Sequence, residues 1–243
     1  MNRSHYPGLI PSFEHERLEA LQPYQVLATP GQGVFNDFVG VVAKLFDVPI
    51  ALVSLVRESD VVFVGNAGLQ EVPVTDRENS LCSVAILQDG LTVFEDLATQ
   101  PCELVNPFAA QAMRLGFYAG QALRTPDGLP IGSLCILDRQ ARHLSEAESH
   151  LLAELALVAQ GLLQVQAARA ADLSLLPVLR NRLDGPLRRS FARLVEMAEL
   201  RREAGGGDTP PADFHLEESL RLARTMQQVL QGIMFEPEPR LFP

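Results

Sequence analysis

Three cysteines, five histidines and a cluster of arginines are the residues whose chemistry could go beyond packing. Cys82 falls near the start of a short predicted helix, where the helix dipole would lower a thiol pKa and make a nucleophile. Cysteine also buries readily as a small hydrophobe, and packing is the stronger of these two readings. Cys135, between Leu134 and Ile136 in an apolar strand, reads as core. Cys102, next to Pro101 in a loop, is expected to be the most exposed of the three. His5, His15, His143, His150 and His215 share no metal-ligand spacing with cysteines or acids, so no metal is expected. Asp96 follows VFE and either caps the next turn or faces a pocket, with capping favoured. Phe63, Phe117 and Tyr118 suit the wall of a mainly apolar ligand pocket, and each is equally explained as core.

These residues need elements to hold them. Helical spacing is predicted around Leu18, Leu21 and Val26, and again from Phe35 to Phe46, ending before Pro49. PIALVSLV (49–56) reads as a strand buried on both faces, with Ile50, Leu52 or Ser54 on one side and Ala51, Val53 and Leu55 on the other. VVFVGNAGL (61–69) is its partner across the polar turn RESD. A short helix over 79–88 and a strand over 91–96 follow. The stretch 97–115 stays ambiguous, because Pro101 and Pro107 force loop into it. Two apolar runs then flank Pro126-Asp127-Gly128, and Asp-Gly tolerates the positive φ of a tight hairpin turn. Ser145 and Glu148 make a capping box that opens a helix near 146. Antiparallel hairpins mixed with helices place the fold in the α+β class.

Composition narrows the function. The 243 residues carry 30 acidic and 20 basic side chains, a formal net charge of −10, which disfavours a polyanionic partner. No apolar run approaches a membrane span and the first residues lack a signal-peptide core, so neither nucleic acid nor membrane is expected as a partner. An odd number of widely spaced cysteines suggests reduced thiols in a cytoplasm.

ERLEALQPYQVLATP, VPIALVSLV, RENSLCSVAIL, GFYAGQALRTPDGLPIGSLCILD and LSEAESHLLAELA resemble, in order and spacing, the GAF domains of bacterial signalling proteins. The match covers roughly residues 14–168. The resemblance implies a central antiparallel sheet with helices on one face and a small-molecule pocket, or its vestige, on the other. Phe63, Cys82, Asp96, Phe117 and Tyr118 are the candidate ligand-binding residues. Relatives often carry Trp at the position of Val62 or Phe63, whereas this chain has no Trp. No cysteine is followed by histidine, which speaks against tetrapyrrole attachment, and the cyclic-nucleotide pattern is absent, so the cofactor stays unassigned. GAF-fold reductases of free methionine sulfoxide use several cysteines, but their loop signature does not line up with PCELVNP.

Beyond residue 146 the pattern is helical except for GGGDTPP (205–211). Leu151, Leu155, Val158, Leu162 and Val165 form a heptad seam beside Leu152, Ala156, Ala159 and Leu163. Two stripes suggest packing on the domain and on a second helix. Two amphipathic helices over 171–243 would form a hairpin whose apolar face is expected to be covered by a second copy, as a four-helix bundle in a homodimer. LLPVLRNRLDGPLRRSFARLVEMAEL is similar to the dimerisation and phosphoacceptor helix of sensor histidine kinases. Laid on that motif, Asn181 occupies the phosphoacceptor position and has no imidazole nitrogen to phosphorylate. The nine residues after the last helix are too few for an ATP-binding domain. The arginines Arg180, Arg182, Arg188, Arg189 and Arg193 read as the solvated face of a bundle helix, with no aromatic platform for nucleic acid.

The organisation expected is therefore an arm (1–13), a GAF-like sensory domain (14–170) and a helical hairpin (171–243). The function expected is non-catalytic, cytoplasmic signal transduction. A small ligand would be sensed, the helix from 146 running unbroken to 203 would carry the signal, and a kinase or response regulator is a candidate partner. The alternatives are a thiol enzyme acting through Cys82 or Cys102 and a ligand-free adaptor.

Overall fold

Alternating apolar residues along Ile50–Val56 (β1) send Ile50 and Leu52 to one face and Ala51, Val53 and Leu55 to the other, and every residue of this strand is buried. Only a central strand with both faces covered can accept that pattern. The computed structural model, which describes residues 7–27, 33–69, 72–172, 185–203 and 212–235, places β1 inside a six-stranded antiparallel sheet. The other strands are β2 (Asp60–Ala67), β3 (Val74–Asp76), β4 (Thr92–Phe94), β5 (Phe117–Arg124) and β6 (Pro130–Asp138), in the order β3-β2-β1-β6-β5-β4. Gly128, at φ 85°, supplies the left-handed turn residue that joins β5 to β6. β3 was not foreseen, since three residues are too few to show a period.

One face of the sheet carries α1 (Glu14–Leu21), α2 (Gly33–Phe46) and α5 (Glu146–Ala171). The other carries the short helices α3 (Cys82–Ala85) and α4 (Pro107–Ala112), the second lying in the stretch left ambiguous by its prolines. Pro107 opens α4 at a position where its missing N–H costs nothing, and Asn106 caps it by accepting from the Phe108 N–H at 3.1 Å. This is the α+β arrangement expected, with helices on one face and a cavity on the other.

The C-terminal hairpin consists of α6 (Gly185–Glu203) and α7 (Ala212–Phe235). Both stripes of α5 are buried, one against the sheet and the other against α7. α7 runs parallel to α5: Arg224 pairs with Glu154 at 2.9 Å and Leu230 packs against Gly161. α6 lies on α2, where the Phe38 and Phe191 rings are 6.0 Å apart. Leu187, Phe191, Leu194, Leu216, Ala223, Met226 and Leu230 thereby join the same core as the sheet. The buried apolar residues of the hairpin pack on the chain's own α2 and α5, a cover within the chain that heptad spacing had not distinguished from a second copy.

Two further expectations are revised. Helix α5 ends at Ala171, and Asp172 is extended at φ −137° and ψ 104°, so 146–203 is not one unbroken helix. α6 starts at Gly185 with Pro186 in its first turn, where the missing N–H costs no helical hydrogen bond. Asn181 and the neighbouring Arg180 and Arg182 lie outside the described residues. At the other end, the arm is not free throughout: Leu9 is buried on the cavity side and its carbonyl accepts from Arg77 at 2.7 Å.

Two carboxylates, the buried Glu148 and the partly buried Glu14, lock these parts together. Glu14 accepts from the fully buried Arg17 at 2.8 Å and from Arg77 at 2.5 Å, while Arg17 also donates to the Val56 carbonyl. Glu148 completes the predicted capping box with Ser145 and accepts from Arg142 at 2.6 Å and from Arg201 of α6 at 2.8 Å. Burial pushes both carboxyls up, but the arginines, with the Ser145 backbone for Glu148, outweigh it and hold both below the ordinary 4.5. A depressed folded pKa contributes stability above the unfolded value that is lost as pH falls through the folded one. Urea titrations should therefore show constant stability from pH 7 to about 5 and a loss below about 4.5. Glu148→Gln should cost about 2–3 kcal/mol at neutral pH and flatten this acid limb, because two arginines lose their shared carboxylate.

Candidate functional site

The cavity side of the sheet is built by strand alternation. Leu52 of β1, Phe63 of β2, Tyr118 of β5 and Leu137 of β6 all point to this face and form the floor. α3 and α4 close over them with Leu81, Cys82, Ala109, Ala110 and Met113. The Asn106 side chain donates to Asn79 at 2.9 Å, and the Asn106 backbone N–H donates to the Glu78 carbonyl, tying α4 to the segment before α3. The enclosed space is about 50 Å³. At roughly 10–15 Å³ per water this holds a few waters or a small organic molecule, well short of the ~300 Å³ at which drug-sized pockets begin. Among the described residues its polar lining is limited to Thr75, Asn79, Ser80, Cys82 and Tyr118, and none of the lining side chains is charged.

A group of thiols and hydroxyls lies under the cavity. The Cys82 and Cys135 sulfurs are 3.6 Å apart, and both residues are buried. Behind them the Ser54 and Ser133 hydroxyls are 3.0 Å apart, bridging β1 and β6, and the Ser133 N–H donates to Ser54. Ser80 accepts from the Cys82 backbone N–H at 3.3 Å. The Tyr118 hydroxyl is buried beside both sulfurs without a hydrogen bond of ordinary geometry. A hydrogen bond from Cys135 holds the Cys82 thiol down to about 6; burial opposes this, and the Ser133, Ser54 and Ser80 hydroxyls add to it. Burial and the neighbouring Cys82 sulfur push Cys135 far up, so Cys135 keeps its proton and donates it toward Cys82. The cause differs from the expected helix dipole, because α3 spans only four residues and the lowering comes from side-chain donors.

Of the five candidate ligand-binding residues, the structure gathers Phe63, Cys82 and Tyr118 at the cavity. Phe117 points to the opposite face and packs in the core under the helices, because it is one residue out of phase with Tyr118. Asp96 stands apart from the cavity as the favoured turn cap, accepting from the Ala98 N–H at 3.0 Å and the Thr99 N–H at 3.3 Å. Cys102 is buried at 7% exposure, against expectation, and burial raises its thiol pKa. Its loop folds under α4 into the cavity-side core, so the flanking proline set the loop without exposing the thiol. Among the described residues no group of histidines, cysteines and acids could hold a metal. Among the described residues one helix, Glu146–Ala171, is long and apolar enough to cross a membrane, and it lies between the sheet and α7.

The Cys82–Cys135 proximity was not legible from sequence, since the two are 53 positions apart and meet only through the sheet. The same holds for the buried arginines Arg17 and Arg77, whose residue type signals surface.

No family model matches this chain. A cyclic di-GMP phosphodiesterase of Pseudomonas aeruginosa is 33% identical over 132 residues, 54% of this chain. Among solved structures, the GAF domain of an Acinetobacter phosphoenolpyruvate-protein phosphotransferase is 15% identical, with a TM-score of 0.48 over 65% of this chain and 98% of that one. The free methionine-R-sulfoxide reductase of Neisseria meningitidis is 20% identical, with a TM-score of 0.47 over 63% and 89% of the two chains. The chain spans 22% of the length of the phosphodiesterase it matches.

Proposed function

We propose that this chain is a non-catalytic cytoplasmic sensory module of the GAF type, which takes a small uncharged molecule and relays its presence to the C-terminal hairpin. The observation that carries the reading is the cavity: mainly apolar, with no charged side chain among its described lining residues, on the face of the sheet opposite α1, α2 and α5. Such a lining leaves a phosphate or carboxylate without a counter-charge, so the ligand class is neutral. Strands β1 and β6 form the cavity floor on one face and the bed of α2 and α5 on the other, and the hairpin rests on those helices. A repacking of the floor is therefore felt by the helical cover, since packed interiors transmit strain.

The match to about a fifth of the length of a cyclic di-GMP phosphodiesterase supports a signalling role for such a segment. The similarity of the α6 region to a phosphoacceptor helix supports an output role for the hairpin, without phosphotransfer of its own because Asn181 replaces the histidine. A kinase or response regulator is the partner class this implies.

The test uses benzene, phenol and indole as neutral probes and cyclic AMP as a charged one. A probe at about 100 times its Kd should add roughly 2.7 kcal/mol of stability. Hydrogen exchange in α7 should change at the same time. Ala110→Phe, which fills the cavity, should abolish both effects. Stabilisation by cyclic AMP alone, or neutral binding that leaves α7 exchange untouched, contradicts the reading.

A further inference from the structure

We propose that Cys82 and Cys135 are a reversible modification site for a small neutral hydroperoxide, closing to a disulfide between α3 and the central strand β6. Three observations place it. The sulfurs are 3.6 Å apart, so about 1.5 Å of approach reaches the S–S bond length of about 2.05 Å. Cys82 lines the cavity, which gives a small uncharged oxidant a route to its sulfur. The Tyr118 hydroxyl, 1% exposed and without a well-formed hydrogen bond, stands beside both sulfurs and can donate to a leaving oxygen.

The chemistry balances with hydrogen peroxide as the only co-reactant. The Cys82 thiolate attacks one peroxide oxygen, the O–O bond breaks, and the departing hydroxide takes from solvent the proton that Cys82 released on ionising and leaves as water. Cys82 is then a sulfenic acid. The Cys135 sulfur attacks the Cys82 sulfur, the S–O bond breaks, and the hydroxyl leaves as a second water with the Cys135 proton. Two thiols are oxidised by two electrons, one peroxide is reduced to two waters, and a dithiol reductant reverses the reaction. The roles follow from the environments: Cys82 carries the thiolate character and attacks first, and Cys135 keeps its proton until it passes to the departing hydroxyl as the S–S bond forms. Cys102 shares no hydrogen bond with either sulfur among the described residues and is a bystander.

This inference stands independently of ligand binding. The full reduced chain is treated with hydrogen peroxide at pH 7, and the products are mapped by peptide mass spectrometry. The expected product has lost two hydrogens, links Cys82 to Cys135, and returns to the starting mass with dithiothreitol. Cys135→Ala should stop at a Cys82 sulfenic acid trapped by dimedone. Cys82→Ala should leave Cys135 unmodified, and Cys102→Ala should react like the parent. The Cys82 rate should exceed that of Cys135 in the Cys82→Ala variant by at least tenfold. Melting curves of each variant verify that it is folded. A link through Cys102, equal rates at all three thiols, or oxidation only in denaturant would overturn the proposal.

Discussion

Replacing Gly132 by alanine is expected to lower the melting temperature by roughly 8–16 °C, equivalent to about 4 kcal/mol in a chain of this size. Gly132 pairs with Leu55 where β6 crosses β1, and a Cβ there would stand 1.8 Å from the Ser54 carbonyl oxygen and 2.9 Å from its carbon. Both neighbours are backbone atoms of the central strand, so no side-chain rotation relieves the clash. The two strands must separate, which disturbs the adjacent Ser54–Ser133 pair and the Cys135 floor two residues beyond. Gly40→Ala in α2 is the control. Its Cβ meets nothing within 4 Å, and a helical site should gain up to about 1 kcal/mol from the better propensity of alanine. Thermal melts of both variants decide the matter; equal melting temperatures would show that β1 and β6 are not held this closely.

Deleting residues 185–243 is expected to have the largest effect of all. Without α6 and α7, the outer stripe of α5 and the α2 surface under Phe191 lose their cover, and Glu148 loses Arg201. Several large apolar side chains, at about 1.5–3 kcal/mol each, leave the core together. The truncated chain should be insoluble, or should bind a hydrophobic dye and melt far below the full chain. A soluble truncation with unaltered melting would mean that the hairpin is an appendage and not part of the core.

Much of the frame was legible because its signals are local. The two-faced run PIALVSLV, the Asp-Gly turn and the Ser145–Glu148 box each depend on a few consecutive residues, and β1, the β5–β6 hairpin and the start of α5 follow from them. The double stripe on α5 correctly demanded a second helix. It could not say that this helix is α7 of the same chain, since heptad spacing is blind to whether a partner arrives in cis or in trans. Site residues were legible to the extent that strand phase is: Phe63 and Tyr118 reached the cavity, and Phe117, one step away, went to the other face. What stayed hidden is set by tertiary contact: the burial of Cys102, the Cys82–Cys135 pair and the arginines around Glu14 and Glu148.

The central claim is that one chain builds the sheet, the cavity and the helical cover over the opposite face. The most direct measurement is cross-link mapping of a Gly161→Cys, Leu230→Cys double variant, since a Cβ added at Gly161 would stand 3.0 Å from the Leu230 Cβ. Isotopically labelled and unlabelled chains are mixed, oxidised gently and digested. The account predicts that the 161–230 cross-link joins peptides of the same label only, in a species with the mass of one chain. Peptides of mixed label joined across two chains would contradict it.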